Sequence, residues 1–143
     1  MRHSKIKLSL PLKAEYVSVA RLTASGVANR AGFNFDAVED IKVSVSEVCN
    51  RLINEREGKD RRRDDALDID FVVMNDYLKV GFTIRNKDES AEDFLQSADA
   101  GKNSENEEAE LGLVIAQVLM DEFETNPIEG WDVSMVKYIS NDG

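Results

Sequence analysis

Residues Asp36 to Glu57, DAVEDIKVSVSEVCNRLINERE, constrain the fold more than any other stretch. Val38, Ile41, Val45, Val48, Cys49 and Leu52 recur three, four and seven apart, so they share one side of a helix that must be buried against something. Asp36 with Glu39 reads as an N-cap and capping box, satisfying the amides left open at a helix start. Gly58 ends the pattern. Glu47, Asn50, Arg51 and Asn54 fall near the seam between the apolar and wet sides. A carboxylate and amides at that spacing can face a polar ligand, and an ordinary surface helix carries the same residue types.

The rest of the chain supplies a partner for that helix. Ile6, Leu8 and Leu10 alternate as a first strand, closed by Pro11. Glu15 to Ala31 reads as a helix, with Val19, Leu22, Val27 and Ala28 as buried positions and Gly32 as its stop. Ser25-Gly26 weakens its middle, and Arg21 on it serves either as a solvated cation or as a contact to a partner. Gly58 to Asp65, GKDRRRDD, is a polar turn whose aspartates neutralise its arginines. Leu67, Ile69, Phe71 and Val73, then Leu78, Val80, Phe82 and Ile84, alternate on either side of Asn75-Asp76 and predict an antiparallel hairpin. Asn86 to Glu108 is acidic and aperiodic, and a connection this long is usually functional or disordered.

Leu111, Val114, Ile115, Val118 and Leu119, with Phe123 as a further candidate, mark a third amphipathic helix. Trp131 to Ile139 reads as a last strand, with Trp131, Val133 and Met135 on one face. The order strand, helix, helix, strand, strand, loop, helix, strand predicts a single domain over residues 1–143. Its class is α+β, a two-layer sandwich with helices on one face of a mixed, mainly antiparallel sheet.

Charge narrows the function classes. With 18 Lys and Arg against 28 Asp and Glu, the net charge is −10. That excess argues against nucleic acid or an anionic membrane as the main partner, because phosphate binding needs clustered cations. Cys49 is the only cysteine, so no intrachain disulfide forms, and its place on the apolar stripe predicts a buried thiol. His3 is the only histidine, so neither a zinc site nor a histidine triad can be assembled. No apolar run approaches a membrane span and MRHSKIKLSL lacks a signal-peptide apolar region, so a cytoplasmic location is expected.

Three segments, PLKAEYVSVARLTASGVANRAGF, DAVEDIKVSVSEVC and LGLVIAQVLMDEF, resemble the anti-sigma factor serine kinases of Gram-positive bacteria. Those belong to the Bergerat-fold, histidine-kinase-like ATPases, and the resemblance spans Ile6 to Ile139. It implies a protein that holds a sigma factor from RNA polymerase and phosphorylates a serine on a small anti-anti-sigma protein of the STAS type, with ATP and magnesium as cofactors. In the family pattern S-E-x-x-T-N-A the Glu is the general base and the Asn a magnesium ligand; Glu47 matches the first, and Arg51 stands at the second, after Asn50. The adenine-binding D-x-G is here Ile84-Arg85-Asn86, and the phosphate-binding G-L-G-L is Glu110-Leu111-Gly112-Leu113.

Each change disfavours magnesium-ATP. A guanidinium offers only donors and a fixed charge, whereas magnesium takes hard oxygens. Isoleucine cannot accept from an adenine amino group, and a carboxylate repels phosphate where backbone amides should cradle it. Asn50, Arg51, Asn54 and Gly112 thus mark a degenerate nucleotide pocket with Glu47 as a vestigial base and no metal. The better-kept first helix forms the family's homodimer and partner surface, and Arg21 stands at its partner-binding arginine. The expected function is anti-sigma-like regulation by protein binding, as a homodimer without a bound cofactor. The alternatives are an active serine kinase and a non-catalytic subunit paired with a true family kinase.

Overall fold

The computed structural model describes residues 3–54, 65–85, 107–127 and 129–140, the side chains of residues 107–110 aside. Strand β1 spans Ser4–Pro11, helix α1 Val17–Ala31, helix α2 Phe35–Asn54, strand β2 Ala66–Val73 and strand β3 Tyr77–Arg85. Helix α3 then spans Glu107–Leu119, strand β4 Glu122–Glu124 and strand β5 Val133–Tyr138. A single 3-10 turn, Ala14–Tyr16, leads into α1. The strands form one five-stranded sheet in the order β1-β2-β3-β5-β4. All four pairings are antiparallel, so the sheet is more uniform than the mixed one expected.

Alternation decides which side of the sheet is buried. Leu67, Ile69 and Phe71 of β2, Leu78, Val80, Phe82 and Ile84 of β3, and Val133 and Met135 of β5 all point to the helical layer and are buried. On β1 the same face fades outward, from Leu10 at 7% exposed to Ile6 at 39%. The β2–β3 hairpin turns where expected, with the Met74 N–H donating to the Tyr77 carbonyl.

Helix α2 lies between α1 and α3. Val38, Ile41, Val45, Val48, Cys49 and Leu52 are all buried, as their spacing predicts. The cap differs from the expected one: Asn34, not Asp36, takes the Ala37 N–H on its side-chain oxygen at 2.9 Å. Asp36 instead sits in the first turn, where a negative charge is favoured by the helix dipole. Gly58, the Gly58-to-Asp65 turn except Asp65, and residues 86–106 lie outside the described residues.

The flanking helices correct two expectations. On α1 the buried row is Ala20, Ala24, Val27 and Ala28, whereas Val19 is 39% and Leu22 73% exposed. Small side chains let α1 approach closely, and its larger apolar residues face out. Ser25-Gly26 does not interrupt the helix, which ends at Gly32 with φ of 100°, its N–H reaching the Ala28 and Asn29 carbonyls. On α3 the buried positions are Gly112 and Ala116, followed by Met120, while Leu111, Val114 and Val118 are exposed. Phe123 belongs to β4 rather than to that helix.

Trp131 is also turned from its expected face. It lies outside the sheet, flat against Gly81, where any Cβ would overlap the indole ring. The β3–β5 ladder runs only to Phe82 and Val133. Beyond it the Asp132 N–H donates to the Phe82 carbonyl, and the Asp132 carboxylate accepts the Ile84 N–H at 2.9 Å. That irregular step breaks the period of two, so Trp131 and Val133 do not share a face.

Candidate functional site

Of the sequence-derived site residues, Glu47 and Gly112 meet at the seam between α2 and the start of α3. The two helices run antiparallel: Glu47 of α2 meets Gly112 of α3, and Lys137 of β5 ties their other ends together. The Lys137 Nζ donates to the Leu119 carbonyl at 2.6 Å and lies 3.6 Å from an Asp40 carboxylate oxygen. Glu47 is half-buried, and its carboxylate fills the space beside Gly112 so closely that a Cβ there would overlap Oε2. Glycine at position 112 is therefore a matter of clearance for the carboxylate.

Arg51 follows Glu47 by one turn, a spacing that sets two side chains on the same side of a helix. It is 2% exposed, among the largest fully buried side chains of the protein. The seam position expected for it is thus corrected: Arg51 lies within the interior, because α2 is flanked on both sides. Asn50 is half-buried beside it, and Asn54 is exposed near the helix end and does not join the others. Arg21 is elsewhere, exposed on α1 across α2 from α3.

Ile84, expected at the place of the family's adenine aspartate, is 9% exposed and directed into the core. The neighbouring carboxylate, Asp132, is engaged with the Ile84 backbone. Burial raises the Asp132 pKa above the usual carboxylate value, and the Ile84 hydrogen bond only partly offsets it. Asp132 was missed in the sequence because nothing in a lone aspartate before a strand announces that it completes a broken ladder. Asn86 and the side chain of Glu110 lie outside what is described.

The donor set does not suit a magnesium ion. A divalent ion there would need hard oxygens; at the expected ligand position the structure buries a guanidinium, which has no acceptor and keeps its charge. Among the described residues, no three His, Cys, Asp or Glu side chains come together as a metal-ligand group. The Cys49 thiol is no substitute nucleophile: it is buried, with its pKa pushed up to about 12 by desolvation. Among the described residues no helix is long and apolar enough to cross a membrane.

Comparison with known proteins agrees with the fold. Residues 10–137 match the model of the histidine kinase-like ATPase domain family. The chain is 36% identical to "Serine-protein kinase RsbW" of Listeria monocytogenes serotype 4a (strain HCC23) over 145 residues, covering 96% of this chain and 89% of that protein. It is 33% identical over 145 residues to the protein of the same name from Bacillus pumilus, covering 96% and 87%. With that of Bacillus cereus (strain AH187) it shares 34% over 148 residues, covering 99% and 89%.

Proposed function

The chain belongs to the RsbW-type branch of the histidine kinase-like ATPase domain family, and from that premise we propose that it is an anti-sigma-type regulator that works by binding other proteins and has lost phosphoryl transfer. The observation that carries the reading is the pair of contrasting surfaces. On α1, Arg21 stands exposed between Val19 and Leu22, two apolar side chains left open to a partner. One turn along α2 from Glu47, the position that should serve a metal holds a buried arginine.

Phosphoryl transfer depends on metal ions and fixed charges that neutralise the moving phosphoryl group. Glu47 supplies a carboxylate for a hydroxyl proton but no such neutralisation. The partners that suit the α1 surface are a sigma factor and an anti-anti-sigma protein of the STAS type, met by a homodimer in the cytoplasm.

Two measurements test this. Arg21→Glu should weaken capture of those partners while leaving the melting temperature in place, because an exposed substitution away from packed contacts changes stability by only about 0.5 kcal/mol. Normal capture by that variant would remove Arg21 from the interface. The second is a titration with ATP and magnesium: a ligand that binds the folded state raises the melting temperature by mass action. A rise that requires magnesium would restore the kinase reading. That second reading is favoured by one feature, the Glu47 carboxylate held against Gly112 where a general base would work. A subunit that pairs with a true family kinase would capture neither partner.

A further inference from the structure

The misfit between Arg51 and a metal has a sharper consequence. We propose that the Arg51 guanidinium is a built-in cation that holds the place of the divalent ion, so that the α2–α3 seam refuses divalent metal with or without a nucleotide. The inference rests on assigning this seam as the nucleotide side of the domain, and it is independent of which proteins α1 binds.

Three observations support it. Arg51 is 2% exposed, so its charge is screened little by water. It stands one turn from Glu47, the carboxylate oxygen donor of the seam, so an ion reaching Glu47 would meet a fixed positive charge on the same side of α2. Among the described residues, the other polar side chain next to Arg51 on α2 is Asn50, which brings one neutral oxygen, and together with Glu47 it falls short of the six oxygens magnesium takes, several of them from water. The charge cannot be relieved by losing a proton, because arginine stays protonated at any working pH. A lysine in its place would keep the charge, whereas an asparagine would remove it and restore an oxygen.

Manganese, a paramagnetic ion with the same preference for hard oxygens, reports where divalent metal settles. In the full chain labelled with nitrogen-15, manganese is added with and without ATP and line broadening is followed for the amides around Glu47. The amides around the exposed Glu15 and Glu124 serve as surface controls. In the wild-type protein the Glu47 region is expected to broaden no earlier than the controls, whether or not ATP is present. Arg51→Asn is expected to broaden selectively around Glu47, at manganese concentrations that leave the controls sharp, and Arg51→Lys is expected to behave like the wild type.

Selective broadening around Glu47 in the wild type overturns the proposal by itself, even if neither variant folds. So does an Arg51→Asn protein that folds and gains no site, or an Arg51→Lys protein that gains one equally. None of these outcomes involves partner capture, so the protein-binding reading stands or falls separately.

Discussion

Gly81→Ala is a one-methyl test of how the sheet's far end is held. Trp131 is 7% exposed, its indole lies on Gly81, and its Nε1–H donates to an Asp70 carboxylate oxygen at 2.8 Å. Lys79 Nζ stands 5.2 Å and Lys5 Nζ 6.0 Å from the ring centroid, and both hold cations over the ring's negative face. A methyl group on residue 81 would occupy the ring's own space, and a fused ring cannot fold aside as a chain end can. In an unobstructed strand the change would gain about 0.5–1 kcal/mol, because glycine loses the most backbone freedom. Overfilling a packed site costs about 1–3 kcal/mol. If the ring lifts, Asp70, only 9% exposed, also loses its indole donor, at a further cost of up to about 1–3 kcal/mol that the Lys5 Nζ, 3.7 Å from the same oxygen, partly offsets.

The net expectation for Gly81→Ala is a loss of about 2–3 kcal/mol, lowering the melting temperature by about 5–10 °C in a chain of this size. Urea denaturation of a double-mutant cycle separates the causes. Trp131→Ala alone should cost about 3–5 kcal/mol. On that background Gly81→Ala should cost nothing or stabilise slightly, since the obstruction is gone. Equal costs of Gly81→Ala in both backgrounds, or a Gly81→Ala protein as stable as the wild type, would refute the contact as the reason for the glycine.

Two further outcomes follow from the candidate site. Gly112→Ala drives a methyl into the Glu47 Oε2, the free end of a flexible side chain, so the carboxylate should swing away while alanine's helix preference returns about 1 kcal/mol. Chemical denaturation should find that variant within about 1 kcal/mol of the wild type, and a much larger loss would mean that Glu47 is locked in place. Asp132→Asn tests the half-buried carboxylate. Its folded pKa is raised, so its contribution is most favourable below the ordinary carboxylate range and is lost as pH rises through the folded value. The amide keeps an acceptor for the Ile84 N–H without the charge, so the stability of Asp132→Asn relative to wild type should improve from pH 4 towards pH 7, by urea midpoints. A flat difference would contradict the raised pKa.

What the sequence conveyed and what it withheld have one physical origin. Period and spacing identify which residues can share a face, and they located the α2 stripe and the β2–β3 hairpin correctly. They do not tell how many neighbours an element has. An amphipathic reading assumes one buried side, but α2 is covered by the sheet and by two helices, so Ser44, Ser46, Arg51 and Ile53 are buried as well. The outer helices face the opposite condition. Among the described residues each has one helical neighbour, and each spends its small residues there, Ala20, Ala24 and Ala28 on α1 and Gly112 and Ala116 on α3. Their larger apolar residues are then left over, Leu22 on α1 and Val118 on α3 at 73% and 75% exposed. A sequence reader ranks leucine above alanine as a core residue, and so misplaces Val19 and Leu22 on α1 and Leu111, Val114 and Val118 on α3, while Val27 and Ala28 are buried as expected.

The same arrangement gives the candidate site its character. Burial on both flanks is what carries Arg51 from the seam into the interior, where its charge acts at low screening beside Glu47. On α1 the close approach of small residues is what leaves Val19, Arg21 and Leu22 outside. A central helix that buries Arg51 and an outer helix that leaves Val19, Arg21 and Leu22 open are therefore two effects of one layer of the three described helices. Lengthening the buried row of α1 with Ala24→Leu would separate α1 from α2, disturbing both surfaces together, whereas Leu22→Ala would touch the α1 surface alone.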